Sequence, residues 1–182
     1  MHGVPHEHRS AAVQPSAAGG PDPHLPQLQP CRVLRGDGDR GGRRVIPVDV
    51  TVRVDGASRG NPGPSGAGAV VEFGDGRAPK ELCAYLGETT NNVAEYRALL
   101  LALEEAARHE VSSLTVHSDS ELLVRQLRGE YKVKAEHLRP LHAEAWRRLR
   151  VFPEVRILHV PREENRRADS LANLAIDQHR KG

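Results

Sequence analysis

The hydrophobic period of this chain changes from two to 3.6 near residue 90, and that change does most to limit its fold. In "DVTVRV" (49–54) apolar residues alternate with polar ones, as in a half-buried strand. "GAGAVVEFG" (66–74) and "KELCAYLG" (80–87) read as two further strands, and the short "GDGRAP" connection between them signals a hairpin. The period then lengthens. "NNVAEYRALLLALEEAARH" (91–109) predicts a long amphipathic helix, with Asn91 or Asn92 as its cap. "LTVHS" (114–118) is a short strand, followed by a helix to about Arg128 and another over 136–150. "EVRILHV" is a fifth strand, and a last helix runs from Glu164 to His179. Three strands in a meander, then strands alternating with helices, predict an α/β fold with a mixed antiparallel and parallel sheet.

Residues 1–47 fall outside this pattern. They are rich in Pro, Gly, Ala, His and Arg and show no period, so they are expected to form a disordered tail before a domain over 48–180. A start codon assigned too far upstream is an alternative origin for that segment. The tail carries 6 Arg and no Lys against 4 acids, which leaves 20 basic and 20 acidic residues in 49–182. Any polyanion must therefore be held by local patches, such as 121–150 with 8 Lys/Arg against 4 Glu, although a solvated helix face explains that excess nearly as well. Cys31 and Cys83 form no CxxC pair, so neither a zinc site nor a disulfide framework is expected. The longest apolar run, "ALLLAL", is too short to span a membrane. Without a basic-then-apolar leader, a cytoplasmic protein is expected.

Two acids stand where parallel strands are predicted to end. Asp55 closes the first strand and opens "DGASRGNPG", a glycine-rich turn; Asp119 follows the fourth strand. Ligands of open α/β sheets gather at such ends. Glu95 is sharper still. At about 100° per residue it shares a stripe with Ala98, Leu99, Ala102 and Ala106, and burying a carboxylate there needs compensation. A surface glutamate on a misphased stripe is the bland alternative. Asp169 shares a face with Ala172 and Ile176 at the edge of the last helix's apolar stripe. Alone it would be an ordinary residue near a helix start. Together the four would repel one another, and a divalent cation relieves that repulsion. Oxygen-only ligands favour Mg²⁺ or Mn²⁺, and two such ions about 4 Å apart suit phosphodiester hydrolysis.

The motifs "DGASRGNPGPSGAGAV", "TTNNVAEYRALLLAL", "HSDSELLVRQL" and "ENRRADSLANLA" stand in that order between Val48 and Ile176. They resemble the type 1 ribonuclease H family. The resemblance implies a five-stranded mixed sheet flanked by helices, and metal-dependent endonucleolytic cleavage of the RNA in RNA–DNA hybrids. By motif, the catalytic and metal-holding carboxylates fall on Asp55, Glu95, Asp119 and Asp169. The mechanism implied is attack by a metal-activated water, with Mg²⁺ (or Mn²⁺) as two ions once substrate is bound, leaving a 5′-phosphate and a 3′-hydroxyl. Asn61, Asn91 and Asn92 match residues that approach ribose and base edges, and Thr90 matches one that holds a DNA-strand phosphate. The expected partner is an RNA–DNA hybrid, with no membrane, no obligate protein partner and a monomeric state.

The chain departs from the family in three places. The long basic protrusion is replaced by the compact "GEYKVKAEHLRPL", as in a shorter archaeal and actinobacterial-like branch, where Lys132 and Lys134 are candidates for part of the missing grip. Glu121 occupies a position where a glutamine often contacts substrate. The assisting histidine matches His159 by offset, yet the strand reading holds it away from the metals; Arg162 is the alternative. Another nuclease on the same fold and a non-cleaving binding module remain as competing readings.

Overall fold

The computed structural model describes residues 47–180. The tail expected over 1–47 therefore lies, save its last residue, outside the described residues. Three long strands come first: β1 (Val48–Ser58), β2 (Gly63–Phe73) and β3 (Lys80–Thr89). They are followed by α1 (Asn91–Ala106), β4 (Val111–Ser118), α2 (Glu121–Leu127), α3 (Arg139–Leu149), β5 (Val155–His159) and α4 (Arg166–Arg180). The sheet order is β3-β2-β1-β4-β5, antiparallel among the first three strands and parallel from β1 through β4 to β5. This is the mixed α/β architecture that the change of period predicts.

The pleat sorts β1 onto two faces. Val50, Val52 and Val54 are fully buried in the main core with Ala98, Leu99 and Leu103 of α1. On the opposite face Val70 and Cys83 pack with Leu171 and Ala175 of α4. The sheet is thus a middle layer, and each face carries one helix that also bears a candidate acid.

Several boundaries differ from the sequence reading. Asp55 does not end β1. Parallel pairing with β4 stops at Val54↔Ser118, but antiparallel pairing with β2 continues to Ser58↔Ser65. "DGASRGNPG" is accordingly strand at its start, and the turn proper spans only 59–62. The cap of α1 is Thr90 rather than Asn91 or Asn92: its hydroxyl accepts from the Val93 N–H at 3.4 Å. The helix expected over 136–150 divides into a 3₁₀ turn, Glu136–Leu138, and α3, which takes Pro140 in its first turn. A second 3₁₀ turn, Arg162–Glu164, precedes α4 and delays its start to Arg166.

Candidate active site

Two contacts without side chains bring the helices in. A Cβ placed on Gly56 would stand 2.1 Å from the backbone nitrogen of Glu95, and one on Gly68 would stand 2.1 Å from the carbonyl oxygen of Ala168. Gly56 continues the buried row of Val50, Val52 and Val54 toward α1. Gly68 pairs across the sheet with Asp55 and faces α4. Glycine at these positions lets both helices approach β1 beside Asp55, which sets Glu95 on one side of Asp55 and Asp169 on the other.

The result is a set of interacting acids. Asp55 is 6% exposed, and its carboxyl is raised to about 7, first by burial and then by the charges of Asp119 and Asp169. Glu95 is pushed well above the usual carboxylate range by burial, then by Asp55 and Asp119; the Gly56 N–H, donating to Glu95 Oε2 at 3.3 Å, opposes the shift. A second glutamate on α1 makes the contrast. Glu105 is as buried as Glu95, at 5% exposure. Burial raises it too, but Lys80, His109 and Arg108 surround it and hold it below its ordinary value. One buried glutamate is neutralised by the protein, whereas the other is packed among more acids.

Donors orient the remaining two carboxylates. Asn165 is fully buried, and its Nδ2 donates to the Val54 carbonyl at 2.9 Å and to Asp119 Oδ1 at 2.6 Å. Arg162 pairs with Asp169 at 2.7 Å. His159, the last residue of β5, lies beside Ser118 in the ladder, and its Nε2 donates to the Asp119 backbone carbonyl at 3.2 Å. Among the described residues, no three Asp, Glu, His or Cys side chains form a tight cage for a metal. A hard ion such as Mg²⁺ does not require such a cage, because it keeps waters and takes one or two carboxylates plus substrate phosphates. The donor set fits it: oxygen-only and mutually repelling, with Asp55 and Glu95 buried and Asp119 and Asp169 half-open.

The expected substrate residues divide into two groups. Asn61 Oδ1 accepts from the backbone N–H of Asn91 at 3.3 Å, tying the glycine turn to the start of α1. The Thr90 hydroxyl serves the same helix end. Asn92 instead lines a groove with Leu122, Gln126, Tyr131, Lys132 and Lys134. Glu121 is exposed and paired with Arg125. Asn165 was missed by the sequence reading, as was the neutralised Glu105.

A family model described as "Reverse transcriptase-like" matches residues 53–175. Ribonuclease HI of Halobacterium salinarum is 44% identical over 139 residues, 76% of this chain and 67% of that protein. The Mycobacterium tuberculosis "Bifunctional protein Rv2228c" is 42% identical over 131 residues, 71% of this chain but only 36% of its own length. The chain thus spans about two thirds of the first relative and about a third of the second. Among solved structures, LC11-RNase H1 in complex with an RNA/DNA hybrid aligns with a TM-score of 0.67 at 43% identity, covering 72% of this chain and 99% of that one.

Proposed function

The chain belongs to the type 1 ribonuclease H family, and from that membership we propose that it hydrolyses the RNA strand of RNA–DNA hybrids at the four converging carboxylates. The observation that carries this reading is Glu95, buried among acids whose charges outweigh the one opposing cation, Arg162, on the same helix as a buried glutamate that three basic side chains surround. Divalent ions, with Mg²⁺ the favoured choice and Mn²⁺ an acceptable one, would be held by Asp55, Glu95, Asp119 and Asp169. When bound they supply an activated water and stabilise the attacking and leaving oxygens.

The chain's own residues supply the geometry. Gly56 N–H fixes one oxygen of Glu95, and Asn165 ties Asp119 to the Val54 carbonyl of β1. Asn61 spends its carbonyl oxygen on α1, which leaves its NH₂ to donate to a ribose 2′-hydroxyl, the group that separates RNA from DNA. Asn91 and Asn92 flank the same helix end, and Lys132 and Lys134 offer charge to the DNA strand along the groove. The cleavage leaves a 5′-phosphate and a 3′-hydroxyl. A cytoplasmic location belongs to the same proposal; among the described residues no helix is long and apolar enough to cross a membrane.

With Mg²⁺ or Mn²⁺, purified protein is expected to cut the RNA of an end-labelled hybrid while sparing single-stranded RNA and duplex DNA. Chelation should stop the cut. Equal cleavage of all three substrates would remove the specificity.

Arg162 and His159 separate in a second experiment. Arg162 is exposed and stands on Asp169, so its charge can move toward the reacting phosphate; His159 is occupied by a backbone carbonyl. Arg162→Ala is therefore expected to lower kcat by about 10–100-fold at saturating metal, and His159→Ala by a few-fold at most. The reverse order would assign the assisting role to His159.

A further inference from the structure

One basic stretch is left unused by the carboxylate site. The exposed residues of α3 and its C-cap are Arg139, Pro140, Ala143, Trp146, Arg147 and Arg150, with Glu144 the half-buried acid beside them. Trp146 is the chain's one tryptophan and is 40% exposed. Ala143, one turn before Trp146 on the same face, is too small to cover the side chain that leans toward it. Ala143, Trp146, Arg147 and Arg150 line a shallow depression of about 460 Å³.

The charge on this face is only partly answered. Glu144 takes two short contacts from Arg147 and one from Arg148, so one carboxylate serves two guanidinium groups. Arg139 has one long pair, to the exposed Glu136 at 3.9 Å, and Arg150 has no ion pair among the described residues. The stripe begins next to the groove that Asn92, Lys132 and Lys134 line, because Leu138 at the floor of that groove immediately precedes α3. From there to Arg150 is about 18 Å along the helix axis.

We propose that this face of α3 is a second nucleic-acid contact, where an unpaired strand continuing from the hybrid stacks a base on Trp146 and lays its phosphates on Arg139, Arg147 and Arg150. The inference rests on the hybrid-cleaving reading for its ligand. The charge complementarity favours a polyanion, and the open ring favours single strands, because paired bases do not offer a free face. An acidic protein segment is the competing occupant.

The lone tryptophan is its own reporter. In EDTA, a single-stranded oligonucleotide of about ten nucleotides should quench the intrinsic fluorescence, and rising salt should reverse it. By anisotropy of a labelled hybrid with a single-stranded overhang, Trp146→Ala and the Arg147→Ala/Arg150→Ala pair should each weaken binding about tenfold. Both should cut a short blunt hybrid at the unaltered rate, which also reports that they fold. Unchanged fluorescence overturns the proposal. So does equal quenching by poly-glutamate, which would make the face a site for acidic protein, or equal weakening of blunt and overhanging substrates. Binding is read without turnover, so quenching in a protein that cuts no hybrid would refute the catalytic reading and leave this one standing.

Discussion

Asp55→Asn is expected to lower hybrid cleavage by about three orders of magnitude or more, and to make the metal-free protein more stable. The loss follows from removing a charged ligand where ions supply several kcal/mol of charge stabilisation. The gain follows from the same residue's environment. Burial and the charges of Asp119 and Asp169 raise its carboxyl to about 7, whereas in the unfolded chain it titrates near 3.9. Between those values the folded state binds more protons than the unfolded state, so stability falls as pH rises from about 4 to about 7. The cost to the folded state above pH 7 is on the order of 4 kcal/mol. Glu95 adds to it in the same direction. Asn is nearly isosteric and carries no charge. In EDTA at pH 8 the variant should therefore melt higher than the parent, with a flatter stability profile across that window. Adding Mg²⁺ should raise the parent's melting temperature far more than the variant's. A near-parental rate would remove Asp55 from the site. An equal Mg²⁺ shift in both proteins would show that the ion is held elsewhere.

Glu95 was legible in the sequence because its signal is local: a carboxylate centred on an apolar stripe violates the helical pattern wherever the helix packs. The change of period likewise carried the order of the elements. What was not legible depends on partners distant in the chain. β1 passes Asp55 because β2 still pairs with it, a fact held in the register Ser58↔Ser65 and not in "DGAS" itself. In "TTNN" every residue can cap a helix, and only the path of the preceding strand selects Thr90. Asn165 lies 111 residues from Val54 and 46 from Asp119, so nothing near it announces that its amide joins them. Glu105 and Glu95 look alike on α1. Lys80, 25 residues away on β3, is part of what makes one structural and leaves the other exposed to its acidic neighbours.

Gly56→Ala should damage fold and site together, and more than any charge-preserving change on the surface. The added methyl carbon would stand 2.1 Å from Glu95 N, 2.3 Å from the Ala94 carbonyl carbon and 2.7 Å from Glu95 Cα. All three are backbone atoms of α1, so no rotamer change relieves the contact. The helix must move off the sheet, although Ala94 and Ala98 beside the contact are fully buried. Inserting one methylene into a packed core costs about 1–3 kcal/mol, and contact with backbone places this case at the upper end or above it. A fall in melting temperature of roughly 10 °C is expected for a domain of this size. Displacing α1 also breaks the Gly56 N–H bond that fixes Glu95, so the Mg²⁺-induced rise in melting temperature should shrink even where the fold survives. Gly129→Ala is the control. Its φ of +75° disfavours a side chain, but a Cβ there meets nothing within 4 Å. It should cost about 1–2 kcal/mol and leave the metal response intact. If Gly56→Ala proves no worse than Gly129→Ala in both readouts, close approach of α1 to β1 is not what places Glu95 beside Asp55.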